Sequence, residues 1–247
     1  MKIVLLRHGE SQWNLENRFT GWKDVSLTKV GIKEANFSAR QLLESNIEIK
    51  SVYTSLLKRA IETTDILVEI INFPKSKINY DWRLNERHYG ALQGLNKSET
   101  ALKYGEEQVH IWRRSYDISP PTLDNDDPRH PRFNNKLNKI DGKLPVGESL
   151  KDVIDRLEPF WNEYLEHIIK NNGNHLIVAH SNSLRAIIKI LDQLSDSEIV
   201  SVNIPTGVPL VYTLDNSGLA VLNKEYLISD SKLKEKQDLV AKQGKVK

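Results

Sequence analysis

Two histidines occupy the same kind of position in this chain. His8 follows the apolar run Ile3 to Leu6 and is flanked by Arg7 and Gly9. His180 follows the apolar run His175 to Ala179 and leads into Ser181-Asn182-Ser183-Leu184-Arg185. Each run reads as a short buried strand. In open α/β sheets, ligand chemistry sits just beyond the carboxyl ends of strands. An imidazole placed there is a candidate nucleophile or acid/base. Arg7 is a fork of donors suited to phosphate. Gly9 lets backbone N–H groups approach an anion, and the helix expected after His180 presents its first N–H groups in the same way. Arg-His-Gly recurs by chance, and one histidine at a strand end is as often a core group as a reactive one. The repetition of the layout carries the argument.

The remaining chemistry-bearing residues lie in non-periodic segments. Leu84-Asn85-Glu86-Arg87-His88-Tyr89-Gly90 and the following Leu92 to Lys97 crowd a carboxylate, cations and glycines together. Glu86 is a candidate general acid/base, and Arg87, Tyr89 and Lys97 are candidate phosphate ligands. Arg59 falls near the start of the helix after the strand Ser51 to Thr54, where a cation opposes the helix dipole. It faces an anion, or it is an exposed helical arginine paired with Glu62. Trp112-Arg113-Arg114 supplies a third cationic cluster, or a solvated helix face. Ser11, Asn14 and Thr20 offer short donors in a polar, aromatic loop ending at Gly21-Trp22, which is a pocket wall or a surface turn.

The elements that must position these groups form an alternating pattern of strands and helices. Thr28 is the expected N-cap of a helix to about Ser45, and Ser55 of the helix carrying Arg59. Residues 115–147 hold five of the nine prolines and read as a long excursion over one face. Ser149 is the expected cap of a helix to about Lys170, its apolar stripe from Leu150 to Ile168 interrupted by Pro159. Val208 to Leu214 and Leu219 to Leu222 read as a closing hairpin around Asp215-Asn216-Ser217-Gly218. The segment Asp230 to Lys247 carries six lysines against three acids. It reads as a frayed terminus, or as a flap drawn to phosphate.

With 247 residues, 39% hydrophobic and 28% charged, the chain suits one large α/β domain. A net charge of +2 argues against nucleic acid. No apolar run approaches the roughly 20 residues needed to span a bilayer, so no membrane partner is expected. The N-terminus enters a strand directly, without a signal-peptide pattern, and a cytoplasmic location is expected. The absence of cysteine excludes disulfides and thiolate catalysis. His8, His88 and His180 lack metal-ligand spacing, so no metal is expected.

Taken together, Leu6-Arg7-His8-Gly9-Glu10-Ser11 with Asn14 and Arg18-Phe19-Thr20-Gly21-Trp22 resembles the opening of the 2,3-bisphosphoglycerate-dependent phosphoglycerate mutases of the histidine phosphatase superfamily. The blocks Tyr53-Thr54-Ser55, Arg59-Ala60, Asn85 to Gly94, Trp112-Arg113-Arg114, Pro145 to Ser149 and Ala179-His180 agree in order, as does Gln243-Gly244-Lys245. The resemblance implies a three-layer α/β fold, a mostly parallel central sheet with helices on both faces. It implies a single domain over 1–229 and a mobile Lys-rich tail over 230–247. The implied reaction interconverts 3-phosphoglycerate and 2-phosphoglycerate. His8 would carry the phosphoryl group, primed by 2,3-bisphosphoglycerate. Glu86 would be the acid/base, and His180, Arg7 and Arg59 would stabilise the transfer. Ser11, Asn14, Thr20, Gly21, Arg87, Tyr89, Lys97, Arg113, Arg114, Ser181 and Asn182 would bind phosphate or carboxylate. The surrounding cations would keep the His8 imidazole neutral, as a nucleophile requires. The partners implied are small phosphoglycerates and further copies of the chain, as a dimer or tetramer. Ser181 departs from the family's usual glycine; a requirement for φ > 0 there would cost about 1 kcal/mol. A bisphosphoglycerate synthase or phosphatase shares these features and is the alternative. A non-catalytic phospho-ligand binder would not need His8, Glu86 and His180 together.

Overall fold

Burial along the first strand alternates between two cores, as the period of two in a strand dictates. Ile3 and Leu5 pack into one cluster and Val4 and Leu6 into another, all fully buried. The strand is therefore central, with apolar helices on both faces. The computed structural model describes residues 1–247 except 139, 141, 142, 172, 216, 218, 219 and 243–247, together with the side chains of 168–171. The turn residues Asn216 and Gly218, the strand start at Leu219, the side chains of Ile168 and Lys170, and Gln243-Gly244-Lys245 lie outside the described residues.

In chain order the elements are β1 (Lys2–Arg7), α1 (Gln12–Leu15), α2 (Lys29–Glu44), β2 (Ile49–Thr54), α3 (Lys58–Ile70), β3 (Ile78–Tyr80), α4 (Lys97–Tyr104) and α5 (Glu106–Arg114). There follow α6 (Leu150–Asn171), β4 (Asn174–Ala179), α7 (Ser181–Leu191), α8 (Asp196–Ser201), β5 (Leu210–Leu214), β6 (Val221–Tyr226) and α9 (Asp230–Lys242). The sheet order is β3-β2-β4-β1-β5-β6. The first four are parallel, β5 runs antiparallel to β1, and β6 runs antiparallel to β5. On one face Val153, Leu157, Phe160 and Trp161 of α6 and Leu184, Ile187 and Ile188 of α7 cover Ile3, Leu5 and Ile177. On the other, Ala35, Ala39 and Leu42 of α2 and Leu67 and Val68 of α3 cover Val4, Leu6, Leu176 and Val178. This is the expected three-layer α/β architecture. Among the described residues no helix is long and apolar enough to cross a membrane.

Register delivers the site. Arg7 pairs with Ala179 and Thr54 with Val178, so β1, β4 and β2 end almost level. His8, His180 and Ser55 are the next residues of those strands. The His8 N–H bonds Ala179 O at 3.0 Å, extending the pairing one step past the strand.

The expected caps hold at Thr28, whose hydroxyl accepts from Gly31 N, and at Ser149, whose hydroxyl accepts from Asp152 N at 3.1 Å. The cap expected at Ser55 does not form. The N-cap of α3 is Leu57, without a side-chain cap; Ser55 lies two residues earlier, where its Oγ accepts from Leu57 N at 3.2 Å and meets His180 Nε2 at 2.7 Å. The strand β3 escaped the sequence pattern, since three residues carry no readable period. The excursion is irregular apart from a 3₁₀ turn at Pro131–Phe133 and lies against the Gly90 loop through Ala91 N to Pro121 O at 2.7 Å. The C-terminal segment is helical as α9. Lys236 pairs with Glu34 at 2.7 Å, and Val240 is buried.

Helix α2 meets the loop after β1 backbone to backbone. A Cβ on Gly31 would lie 2.1 Å from Glu10 O, and one on Gly9 would lie 2.3 Å from Gly31 O. In Gly31→Ala, helix propensity favours alanine by about 1 kcal/mol, but overpacking of rigid backbone costs about 1–3 kcal/mol. We expect the clash to win and thermal unfolding to show a lower Tm. A higher Tm would contradict the close approach.

Candidate active site

His8 is 2% exposed. Its Nδ1 lies 2.7 Å from Gly9 O. A carbonyl only accepts, so Nδ1 carries the proton and Nε2 carries the lone pair. Arg59 Nε donates to that Nε2 at 3.2 Å. The rest of the Arg59 guanidinium is fixed by Lys23 O at 3.1 Å and Gly21 O at 2.9 Å. Gly21 sits at φ +53, which glycine adopts without strain. Burial, then Arg59 and Arg7, hold the His8 pKa well below its ordinary value. Cations were expected to keep this imidazole neutral; they contribute, but desolvation is the larger cause.

His180 is fully buried beside it, ring centroids 5.0 Å apart. Its pKa is likewise lowered by burial first, then by Arg59, His8 and Arg7. Ser55 Oγ accepts from Leu57 N at 3.2 Å and lies 2.7 Å from His180 Nε2. His180 Nδ1 is a buried atom without a hydrogen-bond partner in the described structure.

Glu86 is held from two directions. Its Oε1 accepts from Arg87 N at 2.8 Å, Asn182 N at 3.1 Å and Asn182 Nδ2 at 2.9 Å. Three donors on one oxygen leave Oε2 to exchange a proton. Its carbonyl accepts from Trp22 Nε1 at 2.5 Å and Arg156 at 3.1 Å. Arg156 also binds Asn85 O at 2.9 Å and pairs with buried Glu148 at 2.6 Å. Glu148 in turn accepts from His88 N at 2.7 Å. The Glu86 loop is thus clamped on α6 by a buried, fully hydrogen-bonded ion pair, the form in which such a pair is tolerated. The N–H groups opening α7 were expected to hold a ligand anion. One of them, that of Asn182, binds the Glu86 carboxylate.

One pocket brings together Arg7, His8, Asn14, Thr20, Arg59, Glu86, Tyr89, Lys97, Arg113, Arg114, Ser181 and Asn182, with Arg18, Arg185 and Val240. The other residues singled out stand behind this wall. Ser11 caps α1 and bonds Asn14. Gly21 anchors Arg59. Arg87 stacks its guanidinium 4.7 Å over the Tyr89 ring. His180 packs behind His8. Lys97 is buried and Arg113 half-buried, and their pKa values are lowered, by desolvation first; Arg113 falls to about 10. Arg114 is held by Asn203 Oδ1 at 2.6 Å. Ser181 is in the first turn of α7 and is absent from the positive-φ positions. The strain considered for serine there does not arise.

Sequence reading missed Arg185, Arg18 and Val240 in the pocket and the Arg156–Glu148 clamp. Arg185 lies on the same helix turn as Asn182, a spacing that could have drawn attention to it. Arg156 is lost among the apolar residues of α6. Val240 comes from a segment without a clear apolar stripe. Among the described residues no group of three or more His, Asp or Glu side chains is arranged to hold a metal.

Residues 3–224 match the histidine phosphatase superfamily, branch 1, and the chain belongs to that family of phosphatase- and mutase-type enzymes. Solved structures share the fold. A mycobacterial glucosyl-3-phosphoglycerate phosphatase complexed with VO3 is 22% identical, with TM-score 0.67 over 86% of this chain and 92% of that one. An alpha-ribazole phosphatase from Shigella flexneri is 22% identical, with TM-score 0.63 over 90% and 96%.

The buried histidines His8, His180, His88 and His175 make acid stability a test of this fold. Burial is the first cause in each case. It lowers His8 and His180 from the ordinary 6.5, His88 to about 3 and His175 to about 4. Above 6.5 neither the folded nor the unfolded chain binds these protons. Below it the unfolded chain takes them up first, so stability is lost as pH falls, by up to about 1.4 kcal/mol per group per pH unit. We expect Tm to drop steeply between pH 7 and pH 5. A flat Tm over that range would show that the imidazoles are protonated in the fold.

Proposed function

We propose that this enzyme interconverts 3-phosphoglycerate and 2-phosphoglycerate through phosphorylation of His8, in the cytoplasm. The observation that carries the reading is the charge balance of the pocket. Arg7, Arg18, Arg59, Lys97, Arg113 and Arg114 face a single carboxylate, Glu86. One phosphoryl group does not use so many cations. A substrate carrying both a phosphate and a carboxylate does. The donor set also suits 2,3-bisphosphoglycerate: Arg7 Nε is buried without a partner in the described structure, and the walls beyond it are cationic. When bound, that compound supplies the phosphoryl group that primes His8.

The residues divide the work as follows. On the phosphorylated enzyme the free hydroxyl of the bound phosphoglycerate loses its proton to Glu86 Oε2 and attacks the phosphorus on His8, while the N–P bond breaks and its pair returns to Nε2. Nε2 then attacks the phosphorus that the substrate brought, the ester P–O pair leaves on the alcohol oxygen, and Glu86 returns the proton to that oxygen. Arg59 must release Nε2 to engage the phosphoryl oxygens, joined by Arg7. His180, packed against the His8 ring, would add to the stabilisation of the charge in transfer. Tyr89, Arg113 and Arg114 would retain the glycerate carboxylate, so that the intermediate turns in place and does not escape.

Purified protein is expected to convert 3-phosphoglycerate to 2-phosphoglycerate, faster with added 2,3-bisphosphoglycerate. His8→Ala is expected to lose roughly 10³-fold or more in kcat, as nucleophile deletions do. Release of inorganic phosphate without isomerisation would replace the mutase reading with a phosphatase.

A further inference from the structure

A hydrogen-bonded chain runs from Arg185 to the carboxylate proposed to carry the proton. Arg185 NH1 donates to Asn182 Oδ1 at 3.1 Å, and Asn182 Nδ2 donates to Glu86 Oε1 at 2.9 Å. Arginine has no acceptor, so Asn182 must turn its oxygen to Arg185 and its amide N–H₂ to Glu86. The far end of Arg185 is fixed by Ile199 O at 2.7 Å. The side chain is 1% exposed, and its Nε has no partner in the described structure. Burying a guanidinium is unfavourable unless it is paired, and no carboxylate pairs with Arg185 among the described ion pairs. Its hydrogen bonds reach instead the one side chain that orients Glu86.

We propose that Arg185 is a positioning residue of the reaction, locking the Asn182 amide so that Glu86 Oε1 is saturated and Oε2 alone meets the reacting oxygen. The inference rests on Glu86 being the acid/base of the proposed function. Without Arg185 the Asn182 amide keeps its bonds to Glu86 Oε1 and, at 3.3 Å, to Tyr89 Oη but loses the anchor on its oxygen, so the one side-chain donor to Oε1 loosens while the two backbone donors stay. Proton delivery suffers, while attack by His8 does not. The defect therefore depends on the leaving group. An alkyl phosphate needs a proton on its departing oxygen. An aryl phosphate with a stable phenolate does not.

The test compares wild type, Arg185→Met and Arg185→Lys in the burst of alcohol released as His8 is phosphorylated, with 3-phosphoglycerate and with 4-nitrophenyl phosphate. Arg185→Met is expected to lose about tenfold or more on the alkyl ester, a fraction of the full value of acid catalysis. KM should change little, and the aryl ester should lose far less. Arg185→Lys, which keeps a donor, should recover part of the loss. Equal losses on both esters would assign Arg185 to packing. A raised KM with kcat retained would make it an anion ligand. Either result overturns the proposal. If Arg185→Met does not fold, Asn182→Leu cuts the same chain with the guanidinium in place. It must show the same alkyl-selective loss. A wild type that releases phosphate from both esters but does not isomerise phosphoglycerate removes the mutase reading and leaves this comparison intact.

Discussion

The site depends on one constraint: an imidazole must keep a free lone pair while surrounded by guanidinium groups. Burial does most of this, and the carbonyl of Gly9 fixes which nitrogen bears the proton. The backbone is arranged to permit it. Glycine at 9 and at 31 lets α2 press against the loop that carries His8, and the β1–β4 register sets the second imidazole beside the first. A histidine in the same sequence motif but open to water would be partly protonated near neutral pH and poorer as a nucleophile.

The cost of this arrangement is a concentration of like charge. Lys97, Arg113, Arg114 and Arg185 have their proton affinity lowered by neighbouring guanidinium groups beyond the effect of burial. Carbonyl oxygens offset part of it: Ile204 O receives Arg7 at 2.7 Å, and Trp112 O receives Arg87 at 2.9 Å. An anionic ligand would relieve the remainder, so binding and folding favour the same species. Oriented donors prepared before the ligand arrives are also what phosphoryl transfer needs, since little reorganisation then accompanies the reaction.

What could be read from the sequence follows from how local each signal is. His8 and His180 were legible because each ends an apolar run, and the strand-end position carries its own meaning. Glu86 stood out as a carboxylate among cations in a segment without a period. Ser55 was legible as a small polar residue before a helix, but not its capture by His180, which comes from another strand. Arg156 and Arg185 were hidden because their helices read as core, and the partners that give them a role lie far away in sequence. Gly31 carried no signal in the sequence; its contact with Glu10 explains it. The question about Ser181 was one of dihedral angle, which residue type alone does not answer.

The central claim is that His8 Nε2 is the phosphoryl acceptor, and the most direct measurement is to find the phosphate. The protein would be incubated with 2,3-bisphosphoglycerate, quenched in alkali and examined by peptide mass spectrometry and ³¹P NMR. The account predicts one acid-labile phosphoryl group, on His8, bonded through Nε2. Phosphate on His180, or on His8 through Nδ1, would contradict the tautomer and the roles assigned here, as would turnover without any phosphohistidine.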